Sequence, residues 1–174
     1  MLSFSLELFS LLLFITSTTA QPHRANEYFL NCGSSSTITS GRKWDGDYQS
    51  EFLPSNITTT SFSSTPYYLD PSVPLVPFST ARIFNTSSFT YAFPVSTGPK
   101  FLRLYFYPAT YSNLNVNQSF FSVSSNGFSL LTNFSAFQAA SYLAKTRSDA
   151  GVSGPQIPHF VKEFLIYVND SKTL

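Results

Sequence analysis

Ser88-Phe89-Thr90-Tyr91-Ala92-Phe93-Pro94-Val95, then Phe101-Leu102-Arg103-Leu104-Tyr105-Phe106-Tyr107, is the stretch whose reading decides the fold. In the first run Phe89, Tyr91 and Phe93 alternate with Thr90 and Ala92. A period of two belongs to a strand with one buried face. The second run is apolar or aromatic on both faces except at Arg103, which predicts a central strand. Working outward, the same signal recurs at Tyr28–Cys32, Ala81–Phe84, Phe120–Ser124, Phe128–Thr132 and Glu163–Val168. In the last of these Phe164, Ile166 and Val168 share a face. Ser125-Asn126-Gly127 separates two of the runs, and Asn-Gly predicts a hairpin because both residues tolerate positive φ. Short alternating runs punctuated by 11 Pro and 7 Gly predict an all-β sandwich.

The intervening segments read as loops. Gly33–Gly41 is rich in Ser and Thr. Ser55–Pro77 is rich in Ser, Thr and Pro, with apolar residues that keep no period. Ala139–Pro158 reads as one helical turn running into the Gly/Pro stretch 151–158. Long loops on a sheet scaffold are where binding functions concentrate.

The 174 residues suffice for one domain with a leader. Charged residues are only 11% and aromatics 17%, with 19 Phe and 10 Tyr. Disordered chains are charge-rich and aromatic-poor, so disorder is excluded for most of the sequence. A formal net charge of +1 and no basic run longer than Arg42-Lys43 argue against nucleic acid as partner. No Gly-rich loop, HRD or DFG is present, and the length cannot hold a kinase domain.

Residues 1–20 read as a secretory signal peptide: an apolar run Leu6–Ile15, then Thr18-Thr19-Ala20 as a small-x-small cleavage site. The run is too short to span a bilayer. Five sequons, at Asn56, Asn85, Asn117, Asn133 and Asn169, agree with secretion and mark candidate glycosylation sites. Cys32 is the single cysteine, so no intramolecular disulfide forms. It reads as a buried, inert thiol on a strand.

No catalytic constellation assembles. HExxH, GxSxG, CxxC and P-loop patterns are all missing. His159 stands alone beside Phe160 and reads as a packing residue. Asp45 and Asp47 in Trp44-Asp45-Gly46-Asp47 are the closest acid pair. Paired acids serve glycosidic cleavage, but Asp-Gly is also turn chemistry, and the turn is the favoured reading. No metal and no cofactor are implied. The abundant resource is aromatic: Tyr105, Tyr107 and Tyr111 run from a strand end into a loop, and Tyr67-Tyr68 lie in another. A loop tyrosine joins an apolar ring face to a hydroxyl, which suits stacking on a sugar or a peptide.

An ordered series of motifs carries a resemblance. Tyr28-Phe29-Leu30-Asn31-Cys32-Gly33-Ser34 is followed by Gly41-Arg42-Lys43-Trp44-x-x-Asp47 and Thr80-Ala81-Arg82-Ile83-Phe84. Then come Tyr91-x-Phe93, Arg103-Leu104-Tyr105-Phe106-Tyr107-Pro108, Phe121-Ser122-Val123 and Val161-Lys162-Glu163-Phe164. Over residues 26–171 the chain resembles a plant malectin-like domain, the first of the tandem pair on FERONIA-type receptor-like kinases. The resemblance implies a malectin-like (galactose-binding-like) β-sandwich that binds rather than catalyses. It implies an extracellular ligand: a pectin-like cell-wall polysaccharide or a secreted RALF-type peptide. By order along the chain it points to Phe78 and Tyr111 as ligand-binding residues, and the strand-end aromatic run adds Tyr107.

The expected organisation is a signal peptide at 1–20 and a malectin-like domain at 26–174, C-terminally incomplete because the family's last strands find no counterpart. The product is expected to be secreted, or at the plasma membrane where a full-length receptor is made. The function expected is that of a non-enzymatic binding domain, a piece of a wall-sensing receptor kinase. The alternative is a stand-alone secreted binding protein or decoy. A glycan-modifying enzyme built on Asp45 and Asp47 is the least favoured reading.

Overall fold

A computed structural model describes residues 27–48, 50–53 and 60–169. The expected signal peptide and the Asn56 sequon lie outside the described residues. The fold is all-β in its framework, with nine strands among the described residues. These are β1 (Leu30–Asn31), β2 (Ile38–Ser40), β3 (Arg42–Gly46), β4 (Ser61–Ser64), β5 (Ala81–Phe84), β6 (Gly98–Phe106), β7 (Phe121–Ser125), β8 (Phe128–Phe134) and β9 (Phe160–Val168). A short kinked helical segment, α1 (Leu75–Phe78), precedes β5, and α2 (Ala136–Asp149) links β8 to β9. Val76–Pro77 is a cis peptide.

Four small sheets form among the described residues: β1 parallel to β3 with β2 antiparallel on its other side, β4 with β5, β6 with β9, and β7 with β8, the last three antiparallel. The β7–β8 hairpin turns at Asn126 (φ 50°) and Gly127 (φ 81°). Two consecutive positive-φ residues are what a tight hairpin turn of the twist-matched kind requires, so the Asn-Gly reading holds.

β6 is longer than expected and pairs only with β9 among the described residues. It is not sealed on both faces. Pro99, Phe101 and Arg103 are exposed while Gly98, Lys100, Leu102 and Leu104 are half-buried. On β9, Ile166 and Val168 are buried, whereas Phe101, Leu165 and Tyr167 keep 68%, 66% and 60% of their surface open. The β6–β9 register sets Phe101 opposite Leu165 and Arg103 opposite Glu163. Directly opposed residues share a face, so these form one open face with the Arg103–Glu163 ion pair in it.

Ser88–Val95 does not form a strand. It runs extended with one isolated bridge at Pro94, and the Ala92 N–H donates to the Phe52 carbonyl. Its side-chain alternation is real: Phe89, Tyr91 and Phe93 pack in a ladder with Phe84, Phe52 and Tyr28. Period two reports extended backbone; ladder hydrogen bonds need a partner in register, and Pro94 brings no N–H.

Two expected loops hold strands: β2 lies in Gly33–Gly41 and β4 in Ser55–Pro77. Trp44-Asp45-Gly46 is the end of β3 rather than a turn. The single helical turn expected after Ala139 is a 14-residue helix. The Ser135 hydroxyl accepts from the Gln138 N–H, and the far end closes on Gly151 at φ 70°. There the Val152 and Gly151 N–H groups return to the Arg147 and Ser148 carbonyls, a glycine-terminated helix end.

The core is aromatic. Val73, Phe78, Tyr107, Ala109 and Tyr111 are buried together, with Leu69, Ile83, Tyr105 and Ile157 against them. Trp44 joins it edge-on through Tyr105. A second cluster, Phe106, Phe121, Phe134 and Phe160, ties the β6–β9 ribbon to the β7–β8 hairpin.

Candidate functional site

A cleft of about 340 Å³ opens where the end of β4 meets the loop that follows β6. Its lining is Gly33, Phe62, Ser63, Ser64, Thr65, Ser112 and Asn113. Small-ligand sites begin at about this size. β4 is held by pairing with β5, with Phe62 opposite Ile83 and Ser64 opposite Ala81. Asn113 reaches the opposite wall in left-handed backbone, φ 58°, which asparagine adopts more readily than most residues.

The core tyrosines fix the two walls. The Tyr67 N–H donates to the Thr110 carbonyl at 3.0 Å. The Tyr107 hydroxyl donates to the Tyr68 carbonyl and accepts from the Asp70 N–H, both at 3.3 Å. The Tyr111 hydroxyl donates to the Tyr107 carbonyl at 2.8 Å. Burial raises the Tyr111 pKa, with Tyr107 adding to the shift, so this donor stays protonated. Tyr67 and Tyr68, just beyond Thr65 in the chain, are 73% and 66% exposed.

Beneath Gly33 lies a sealed polar cluster. Asp47 is fully buried and takes a bidentate pair from Arg82, Nε to Oδ2 and Nη2 to Oδ1, both at 2.6 Å. The Gly33 N–H donates to Asp47 Oδ1 at 2.8 Å, and the Tyr91 hydroxyl donates to Oδ2 at 3.2 Å. Arg82 Nη1 also reaches Ser61 Oγ on β4. The hydrogen bonds that Arg82 donates to Asp47 raise the Arg82 pKa, and burial pushes Tyr91 far above the usual phenol range. Cys32 Sγ lies 3.6 Å from the Tyr91 hydroxyl. Burial, with the Asp47 charge adding to it, pushes the thiol up to about 11. Cys32 lies in the turn just after β1 and is half-buried, not on the strand and fully buried as expected, while its raised pKa agrees with an inert thiol.

Gly33 is fixed by two demands. Its φ is 82°, and a Cβ there would collide with the Ala81 carbonyl. Only glycine meets both.

Phe78, Tyr107 and Tyr111 are brought together, but as core: each is at most 7% exposed. They hold the cleft's loops rather than lining it. Asp45 and Asp47 are not brought together as an acid pair. Asp45 is exposed and paired with Lys43 and Thr37, while Asp47 belongs to Arg82. His159 packs on the Phe78 ring at 4.7 Å, and burial lowers its pKa. Asn85, Asn117, Asn133 and Asn169 are all exposed. The cleft residues Ser63–Thr65, Ser112 and Asn113 were not singled out by the sequence. The available signal was the coincidence of two loops rich in hydroxyl and amide groups, each beside an aromatic pair. Among the described residues no group of His, Cys, Asp and Glu could hold a metal ion. Nor is any described helix long and apolar enough to cross a membrane.

No protein-family model matches the chain. Curated relatives do match. The receptor-like protein kinase FERONIA of Arabidopsis thaliana is 47% identical over 147 residues, covering 80% of this chain and 16% of its own length. ANXUR1 of the same plant is 43% identical over 121 residues, covering 66% and 14%. Among solved structures, the plant receptor-like kinase FER superposes with a TM-score of 0.66 at 40% identity, covering 84% of this chain and 35% of that one. The extracellular domain of ANXUR2 from Arabidopsis thaliana gives 0.66 at 34% identity, covering 83% and 34%. The chain thus spans about a sixth of FERONIA and about a third of the solved chains. The similarity falls in their malectin-like ectodomains, and this chain contains no kinase domain.

Proposed function

Because the chain belongs with the malectin-like ectodomains of FERONIA- and ANXUR-type receptor-like kinases, we propose that it is an extracellular, non-enzymatic binding module that takes a cell-wall carbohydrate in the cleft between Phe62–Thr65 and Ser112–Asn113. Residues 1–20 direct its secretion, residues 26–174 form the malectin-like domain, and the sequon asparagines carry glycans.

The observation that carries this reading is the lining itself: five hydroxyl or amide side chains and one aromatic ring, beside exposed Tyr67 and Tyr68. Serine, threonine and asparagine both donate and accept hydrogen bonds, which is what a sugar hydroxyl asks of a partner. The ring faces supply the apolar part of such a contact. A secreted RALF-type peptide is the competing ligand.

Phe78, Tyr107 and Tyr111 enter this reading as the frame that sets the distance between the cleft walls. The secreted chain would be immobilised and presented with solubilised wall polysaccharides and, separately, with a basic peptide. We expect carbohydrate retention, weakened about fivefold or more when Tyr67 and Tyr68 are both replaced by Ala. Retention of the peptide alone, or carbohydrate retention indifferent to that double substitution and to Ser64→Ala, would overturn the reading.

A further inference from the structure

We propose that Asn126 is a site of spontaneous deamidation, at which the Asn126-Gly127 turn converts its own side-chain amide to a carboxylate and frees the tip of the β7–β8 hairpin from β9.

Of the ten asparagines in the chain, Asn126 alone is followed by glycine. A following side chain crowds the backbone nitrogen that must approach the asparagine Cγ, and glycine has none. Both turn residues are exposed. A Cβ placed on Gly127 would meet nothing within 4 Å, so solvent reaches the backbone around it. Among the described residues the Gly127 N–H donates to no acceptor, and the hairpin closes on the Ser125–Phe128 pair instead. The attacking nitrogen is therefore neither shielded nor committed. The Asn126 amide is restrained by a hydrogen bond from Nδ2 to the Tyr167 carbonyl, exposed and 3.3 Å long. That lies beyond the usual N–H···O range. The reaction requires the peptide plane between the two residues to swing toward the side chain. An exposed turn with so weak a tether opens at low cost.

The Gly127 nitrogen gives its proton to a solvent base and attacks Asn126 Cγ. A C–N bond forms, the Cγ–Nδ2 bond breaks, and Nδ2 leaves as ammonia with a proton from water. Water then opens the five-membered imide. Cleavage on the Cγ side gives aspartate, and cleavage on the backbone side gives isoaspartate, with the chain running through Cγ. Amide and water become carboxylate and ammonium, and nothing is oxidised or reduced.

The product undoes the contact that holds the tip. A carboxylate has no N–H to donate, and its oxygens face the Tyr167 carbonyl with like partial charge. Isoaspartate also adds a bond to the backbone of a two-residue turn whose register depends on its length. The other end of the hairpin stays anchored, because Phe121 and Phe134 pack with Phe106 and Phe160.

The test incubates the full chain, native and in urea, in heavy-oxygen water at about pH 6 and about pH 8, followed by peptide mapping that separates aspartate from isoaspartate. We expect heavy oxygen at residue 126 of the native chain, gained at least about tenfold faster at the higher pH because more of the amide is deprotonated. Asn126→Gln keeps the amide donor but must close a larger ring, and is expected to gain label at least about tenfold more slowly. Asn126→Asp installs the product directly. Amide exchange at residues 125–129 should quicken about tenfold in it and in the aged wild type, with Phe134 and Phe160 unchanged. No label at residue 126 in the native chain, whatever the unfolded chain does, would overturn the site. Label spread evenly over the other asparagines, or gained as fast by Asn126→Gln, would overturn the role of the turn. Label at residue 126 with hairpin exchange unchanged in both the aged chain and Asn126→Asp would overturn the release of the tip.

Discussion

The Asp47 cluster and the β6–β9 ribbon invert the usual placement of polar and apolar groups. Around Asp47, a guanidinium, a carboxylate, a phenol and a thiol are drawn out of water in a chain of contacts, Arg82 to Asp47 to Tyr91 to Cys32. On the ribbon, Phe101, Leu165 and Tyr167 stand in solvent. Side-chain chemistry alone does not explain the difference; packing does. Asp47 and Arg82 sit where β3, β5 and the Gly33 turn converge. The ribbon has one face on the hairpin's aromatic cluster and its other face open. Every bond in the cluster joins parts of the chain distant in sequence, so a single substitution there is felt across the domain. On the open face a side chain loses little because it has little to lose.

Substitutions measure this contrast. Asp47→Ala removes one partner of a buried pair and leaves the Arg82 guanidinium sealed with its charge uncompensated. We expect a loss of roughly 3–5 kcal/mol in chemical denaturation. A loss below about 1 kcal/mol would erase the distinction between the two regions. Gly33→Ala combines left-handed backbone with a collision at the Ala81 carbonyl. It is expected to cost roughly 2–4 kcal/mol, read from the same denaturation curves.

Titration sharpens the comparison from another side. The folded Cys32 thiol ionises only near pH 11, against 9.0 for a free thiol. The unfolded chain therefore loses its proton first as pH rises. The thiol's contribution to stability is complete below about pH 9 and is lost as pH climbs to about 11. At pH 8 a thiol reagent should label the denatured chain readily and the native chain slowly. Equal rates would show that the cluster is open to solvent.

Smaller effects follow. Tyr107→Phe deletes the hydroxyl that joins Tyr68 and Asp70. About 1–2 kcal/mol should be lost, with the cleft loops exchanging amide hydrogens faster. Phe101→Ser on the open face should change stability by no more than about 0.5 kcal/mol. Protein concentration series would show whether it lowers self-association.

Much of the framework was legible because alternation was strong where strands are long. β5 fell on its expected residues, and the Asn126-Gly127 turn was set by backbone chemistry that the two residues carry with them. Ser88–Val95 misled because alternation reports extended chain and not pairing. Only one turn of the long helix α2 was expected, although Ser135-x-x-Gln138 is a helix-start signature, with Gly151 as its stop. Its exposed positions mix Ser141, Tyr142, Thr146 and Ser148 with Lys145 and Asp149, and only Ala140 is buried, so its amphipathic pattern is faint. At the cleft, the sequence reading singled out tyrosines in the two loops beside it. It could not tell buried Tyr107 and Tyr111 from exposed Tyr67 and Tyr68, because the same ring serves a core or a surface. The partner of Asp47 was equally hidden, since Arg82 is 35 residues away.

Hydrogen–deuterium exchange of the secreted chain, with and without solubilised wall polysaccharides, tests the central claim most directly. The expected result is slowed exchange in residues 60–69 and 107–115, with 160–168 on the ribbon unchanged. Protection on the ribbon face, with none in those two loops, would contradict it.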